Sequence, residues 1–284
     1  MTQPAATPNA APRLQAPDGA CDTHMHFYDR RYPVAATALG TQPDAWIPAY
    51  RAMAERLGLS RTVVVQPSAY GVDNRCTLDS IRELGLAHAR GVAVVEEGIS
   101  DAELDALTAG GIRGVRFHML PGGALPWERL DAIAARVAEA GWHVQLQLDG
   151  RTLSDHLAQV RAWPGRLVVD HVGKFLEPVT PDHPAFRMLL DLVGTGRVWV
   201  KLSAPYEVSK RGAPLYEDVG DLAKALVRAA PERMLWASNW PHPGANPKPS
   251  DAGLLDLLLE WAPDEATRRM ILVDNPAALY GFEG

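Results

Sequence analysis

The chain has 284 residues, 47% of them hydrophobic, and a net charge of −6. That is enough apolar material for a large buried core, with no basic excess to neutralise nucleic-acid phosphates or an anionic membrane surface. Two cysteines, Cys21 and Cys76, give neither a disulfide framework nor a CxxC metal pair, so both are expected as buried free thiols in a reducing compartment.

The N-terminal stretch MTQPAATPNAAPRL is rich in Pro and Ala and reads as a disordered arm over residues 1–14. It lacks the basic and apolar regions of a secretory signal, and no run approaches the roughly 18 unbroken apolar residues of a membrane span. The expected location is the cytoplasm, with one catalytic domain over residues 15–284.

Eight short apolar, β-branched runs follow: Ala20–His26, Arg61–Ser68, Gly91–Glu96, Ile112–His118, His143–Asp149, Leu167–His171, Val198–Ser203 and Met234–Asn239. Between them lie stretches with apolar residues at helical spacing, such as Trp127–Ala140, Thr152–Ala162 and Tyr216–Ala229. Ser250–Trp261 reads as an outer helix with Leu254, Leu255, Leu258 and Leu259 as its buried stripe. Strand–helix alternation repeated eight times predicts a parallel (β/α)₈ TIM barrel. No GxGxxG follows the first run, which argues against an open dinucleotide-binding sheet.

Side chains alternate between the two faces of a strand. Polar residues at the C-terminal ends of these runs share one parity: Asp22, His24 and His26; Gln66 and Ser68; Arg116 and His118; Gln145, Gln147 and Asp149; Lys201 and Ser203; with His171 and Asn239 closing their own runs. We read them as pointing into the barrel mouth, where this fold places its chemistry. Asp170 has the opposite parity and is expected to face outward, holding a loop or helix end. His143 opens its strand at the opposite, structural end, and His88, His156 and His183 are assigned no catalytic role.

The strongest single signal is His24-Met25-His26, which puts two imidazoles on one side of a first strand. The surrounding DTHMHFYD, the DHVGKF of Asp170–Phe175, the SNWPH of Ser238–His242 and the closing DNPAALYGF resemble the amidohydrolase-related TIM-barrel family. The resemblance runs from about Ala20 to Phe282. It is narrowest to the branch of 2-pyrone-4,6-dicarboxylate lactonase, 4-sulfomuconolactone hydrolase and D-galactarolactone isomerase, and it resembles the last through Leu120–Ala124 and Gln147–Gly150. The resemblance implies the amidohydrolase superfamily fold and a small carboxylated lactone as substrate.

Departures from the metal-dependent members bear on the chemistry. Strand five carries Gln145 and Gln147 in place of a histidine, and the strand-eight aspartate is Asn239, an amide that cannot take a proton from water. No cofactor is therefore expected, although His24, His26 and His171 would be the ligands if zinc were held. The expected catalytic residues are His24, His26, His171 and Asn239, the histidines polarising the lactone carbonyl and activating water. Arg116 is expected to clamp a substrate carboxylate, with Lys174 and Lys201 adding positive charge. Ser68, Gln147, Tyr206, Trp240 and His242 complete the substrate contacts. The expected activity is lactone hydrolysis. The alternatives are a lactone isomerase, in which a substrate hydroxyl replaces water, and a non-catalytic small-acid binding protein. A homo-oligomer is compatible with the sequence.

Overall fold

The computed structural model describes residues 11–283. Eight parallel strands pair in sequence order: β1 (Cys21–Met25), β2 (Arg61–Val65), β3 (Ala89–Ala93), β4 (Ile112–His118), β5 (His143–Gln147), β6 (Leu167–Val169), β7 (Val198–Leu202) and β8 (Met234–Trp236). The intervening helices are α1 (Ile47–Leu57), α2 (Arg75–Leu84), α3 (Asp101–Ala109), α4 (Leu130–Glu139), α5 (Leu153–Ala162), α6 (Pro184–Val193) and α7 (Glu217–Ala229), and α8 (Asp251–Trp261) follows β8. The seam between β8 and β1 is stitched just above the strands, where Asn239 N–H donates to the His24 carbonyl (2.9 Å) and His26 N–H to the Trp240 carbonyl (2.8 Å). This is the nearly closed (β/α)₈ barrel that the alternation predicts.

The barrel floor is apolar. Cys21, Val63, Val65, Val92, Val168, Trp199 and Leu235 converge with Leu279, Tyr280 and Phe282 of the C-terminal helical segment. His143 packs edge-on to Tyr280 with ring centroids 5.2 Å apart, at the structural end where the sequence placed it. A Cβ at Gly114 would stand 2.4 Å from the His143 ring, so only glycine fits opposite it. A second, larger core fills the layer between the strands and helices. Both cysteines are buried and free.

Most strands are shorter than the runs that announced them, because the backbone turns out of the ladder where the polar residues begin. β6 stops at Val169 rather than His171, and β8 at Trp236 rather than Asn239. His171, Lys174, Asn239 and His242 all carry positive φ. Such residues are costly in isolation and cluster where the surrounding structure fixes a functional side chain.

Of the proposed arm, residues 1–10 lie outside the described residues. Arg13 and Leu14 depart from that reading: both backbone N–H groups donate to Asp256 Oδ1, at 2.8 and 2.9 Å, and Leu14 is buried in the core. No helix among the described residues is long and apolar enough to cross a membrane.

Candidate active site

Four side chains meet on the barrel axis above the apolar floor: His24 (β1), Gln145 (β5), Asp170 (after β6) and Lys201 (β7), all fully buried. Lys201 Nζ donates to Gln145 Oε1 at 2.6 Å and lies 3.3 Å from His24 Nδ1 and 3.7 Å from Asp170 Oδ1. Gln145 Nε2 donates to Asp170 Oδ2 at 3.0 Å. On its other edge, His24 Nε2 sits 3.2 Å from His26 Nε2, while His26 Nδ1 is 2.8 Å from the Val65 carbonyl.

These contacts fix the protons. A carbonyl only accepts, so His26 carries its proton on Nδ1 and presents a lone pair at Nε2. With Nε2–H so directed, neutral His24 has a lone pair at Nδ1, which lies 3.3 Å from both Lys201 Nζ and Asp170 Oδ1 and accepts from the ammonium. The third imidazole, His171, lies with its ring centroid 4.8 Å from that of His24, and its Nδ1 is 2.7 Å from Ser203 Oγ.

The electrostatics support neutral rings. Burial, with Lys201 and His26 alongside, holds His24 well below the ordinary histidine range. Burial and Arg116 push His26 down to about 3, and burial lowers His171 as well. Burial lowers Lys201 to about 8 against the attraction of Asp170. Although burial alone would raise Asp170, Lys201, His171 and Arg116 keep it ionised below its usual value.

Arg116 lies beside this core, buried on β4. One terminal nitrogen donates to the Gln66 carbonyl and the other to Gln147 Oε1, both at 2.8 Å. Its Nε–H is buried and finds no acceptor in the protein. Ser68 and His118 border the same small pocket. Gln147 thus braces Arg116 directly.

The β8 side holds another cluster. Asn239 Nδ2 donates to Tyr206 Oη (2.8 Å) and Glu207 Oε1 (3.0 Å), and Glu207 forms an ion pair with Lys174. Tyr206 Oη lies 3.0 Å from His242 Nδ1, and His242 Nε2 lies 2.8 Å from Asp251 Oδ1.

The structure gathers eleven of the twelve sequence candidates around the barrel mouth and displaces one. Trp240 is buried in the outer layer against Phe27 and Tyr50, with ring centroids 6.0 and 5.4 Å away, so it is not a pocket wall. The turn at the seam sends its indole toward α1.

Three inferences from strand parity also need correction. Asp170 faces inward, because it shares the parity of Val168 on the barrel floor. It is His171, next in sequence, that would point outward on a continuing strand, and its φ of 53° turns it back into the mouth. Asp22 does not join the histidines. Its carboxylate accepts from Ser238 N (3.0 Å), Ser238 Oγ (2.5 Å) and Tyr50 Oη (3.2 Å), clamping β1 to the loop after β8. Cys21 and His24 are three residues apart yet both face inward, which requires the register shift seen between Asp22 and Met25. Gln66 turns outward, donating to the Gly71 and Asp73 carbonyls and accepting from Thr77.

Glu207 and Asp251 are site residues that the sequence reading missed. Glu207 was within reach, as the neighbour of Tyr206 in the loop after β7. Asp251 opens α8, and nothing in local sequence ties it to His242.

Among the described residues, His24, Asp170 and His171 offer ligand atoms within 4.8 Å of one another. The 3.2 Å between His24 Nε2 and His26 Nε2 also suits two ligands of one tetrahedral zinc with bonds of about 2.0–2.1 Å.

The comparisons with known proteins agree with this geometry. A family model described as amidohydrolase matches residues 21–282. D-galactarolactone isomerase of Agrobacterium fabrum is 38% identical over 95% of this chain and 94% of its own. A 2-pyrone-4,6-dicarboxylate hydrolase of Comamonas testosteroni is 36% identical over 95% of this chain and 92% of its own. The ligand-free crystal structure of an Agrobacterium tumefaciens protein, 38% identical, superimposes with a TM-score of 0.91 over 96% of this chain and 99% of that one. A match across nearly the whole barrel, and relatives that are enzymes along their full length, leave one assignment: this chain is an enzyme of the amidohydrolase family.

Proposed function

We propose that this enzyme hydrolyses a small carboxylated lactone. The observation that carries the proposal is a buried, net-positive mouth built around neutral imidazoles. Arg116, Lys174 and Lys201 outnumber Asp170 and Glu207 by one charge, Asp251 being paired with Arg56, and the Arg116 Nε–H has no acceptor in the protein. A substrate carboxylate would satisfy that donor and offset the charge. The lactone carbonyl would sit against His171 and draw the His24 Nε2–H away from His26, and donors so placed stabilise the developing oxyanion in a low-dielectric site. The nucleophilic oxygen loses its proton to a general base at the mouth. A binding protein without catalysis would have no use for this convergence of imidazoles. Buried free thiols at Cys21 and Cys76 accord with a reducing cytoplasmic setting.

The reading needs no metal. A divalent ion between His24 and His26 would stand beside the Lys201 ammonium and near Arg116, with Asp170 as the one carboxylate at hand. Charge of that kind in a buried site is costly. The β8 position supplies an amide already committed to Tyr206 and Glu207. Purified protein is expected to contain substoichiometric zinc and to keep its activity after chelation. One zinc per chain by elemental analysis, with activity lost on its removal, would contradict this.

Isomerisation is the second reading, and Asn239 favours it. With a substrate hydroxyl as nucleophile, the same acyl transfer yields an isomeric lactone. The deciding test is turnover of D-galactarolactone and 2-pyrone-4,6-dicarboxylate in ¹⁸O-water. Hydrolysis adds one water and places label in the new carboxylate. An unlabelled product of unchanged mass would sink the hydrolase reading, and no turnover of any carboxylated lactone would sink both.

A further inference from the structure

The three barrel histidines are poor places to leave a proton. Both ring nitrogens of His24 are engaged, by His26 and Lys201, both of His26 by His24 and the Val65 carbonyl, and His171 Nδ1 by Ser203 Oγ. The strand-eight position that would supply a carboxylate is Asn239. A base for the nucleophile must therefore come from elsewhere at the mouth.

We infer that Tyr206, His242 and Asp251 form a proton relay that replaces the missing strand-eight carboxylate; this rests on the acyl-transfer reading above. The geometry assigns each proton. Asp251, in the first turn of α8, only accepts, so His242 donates to it from Nε2 across 2.8 Å. His242 Nδ1 is then a lone pair, 3.0 Å from Tyr206 Oη, and takes the phenol O–H. Tyr206 Oη in turn accepts from Asn239 Nδ2 at 2.8 Å, which holds the phenol beside the β8–β1 seam. His242 is buried and adopts a positive φ of 60°, a backbone cost that this placement accounts for. A carboxylate, an imidazole and a hydroxyl in this order are the parts of an Asp–His-activated nucleophile, here ending in a phenol that passes a proton instead of attacking.

The step balances. The nucleophile's O–H proton moves to Tyr206 Oη as the Tyr206 proton moves to His242 Nδ1. The nucleophile oxygen bonds to the lactone carbonyl carbon, and the C=O π pair becomes the oxyanion. When the oxyanion collapses, the ring C–O bond breaks, and His242 returns its proton through Tyr206 to the leaving ring oxygen. Asp251 stabilises the transient imidazolium and is not itself protonated. Arg56 of α1, 3.6 Å from Asp251 Oδ2, is the cation facing the far side of that carboxylate. Tyr28 and Tyr216, which also lie near Tyr206, are phenols kept neutral by burial, and the Glu207–Lys174 ion pair flanks the phenol through Asn239.

The test has two arms. In the first, imidazole ¹⁵N NMR of the ligand-free protein, with His242 assigned by its absence in His242→Gln, should show the Nε2–H tautomer. An Nδ1–H tautomer overturns the relay whether or not a substrate is known. In the second, on whichever of D-galactarolactone or 2-pyrone-4,6-dicarboxylate is turned over, Asp251→Asn should lower kcat by about 10²-fold or more, with KM changed by less than about threefold. Tyr206→Phe should lose a similar factor, and the double variant should lose no more than either alone, because the residues act as one unit. Multiplicative losses in the double variant, with melting temperatures that fall in step, would mean the residues only support the fold. If neither lactone reacts, the substrate reading fails, and the NMR arm still decides the relay.

Discussion

Lys201→Met is expected to cost both stability and activity. The ammonium is fully buried and stands against Asp170 at 3.7 Å, Gln145 at 2.6 Å and His24 at 3.3 Å. Methionine, unlike a neutral amine, removes the donors that face Gln145 Oε1 and Asp170 in a fully buried site, at about 1–3 kcal/mol for each polar group left unsatisfied. It also frees His24 to place its proton on Nδ1, turning a lone pair toward the reaction centre, so kcat should fall by about 10²-fold or more. The double variant Lys201→Met/Asp170→Asn separates the two effects. It should regain most of the lost stability in denaturant titration while staying inactive. Recovery of activity along with stability would mean that Lys201 serves only the fold.

The same residue sets an alkaline limit. Burial brings Lys201 down from its ordinary 10.5 to about 8. Below pH 8 the ammonium is present in both folded and unfolded chains, and the full cost of burying it is carried. Between about 8 and 10.5 the folded chain gives up the proton first, so that cost is relieved and this group's contribution to stability rises. Activity should fall over the same range as the His24 tautomer loses its donor. Rate and melting profiles measured together from pH 7 to 10 check this: the rate should decline above about pH 8 while Lys201 contributes no loss of melting temperature.

Arg116→Lys is expected to lower kcat/KM by about 1–3 kcal/mol, roughly 5- to 150-fold, with most of the change in KM. The guanidinium spans two internal acceptors, the Gln66 carbonyl and Gln147 Oε1, and still has an Nε–H to offer. A lysine places one point charge where a planar fork is required, and it cannot hold Gln147 and a substrate carboxylate together. Far-UV circular dichroism should be unchanged, since the aliphatic stem still fills its place on β4. Unaltered kinetics on a carboxylated lactone, or a protein that no longer folds, would make Arg116 a brace between β2 and β5.

Sequence alone determined the barrel and the strands that carry the chemistry. Eight β-branched runs separated by amphipathic stretches leave few other ways to bury the apolar faces. On β4, β5 and β7 the period-two rule placed Arg116, Gln145, Gln147 and Lys201 correctly, because those strands stay in register up to the residues concerned. The rule failed where the backbone leaves strand geometry. A bulge in β1 let Cys21 and His24 share a face and set Asp22 against Ser238 and Tyr50. A left-handed turn after β6 brought Asp170 and His171 in together.

Tertiary structure also decided what lies far apart in the chain. The proton positions on His24 and His26 depend on Lys201 and on the Val65 carbonyl. The partners of Asn239 and His242 come from the loop after β7 and from α8. Local propensity and periodicity act over one element at a time, whereas these contacts form only when the barrel closes and brings β8 against β1.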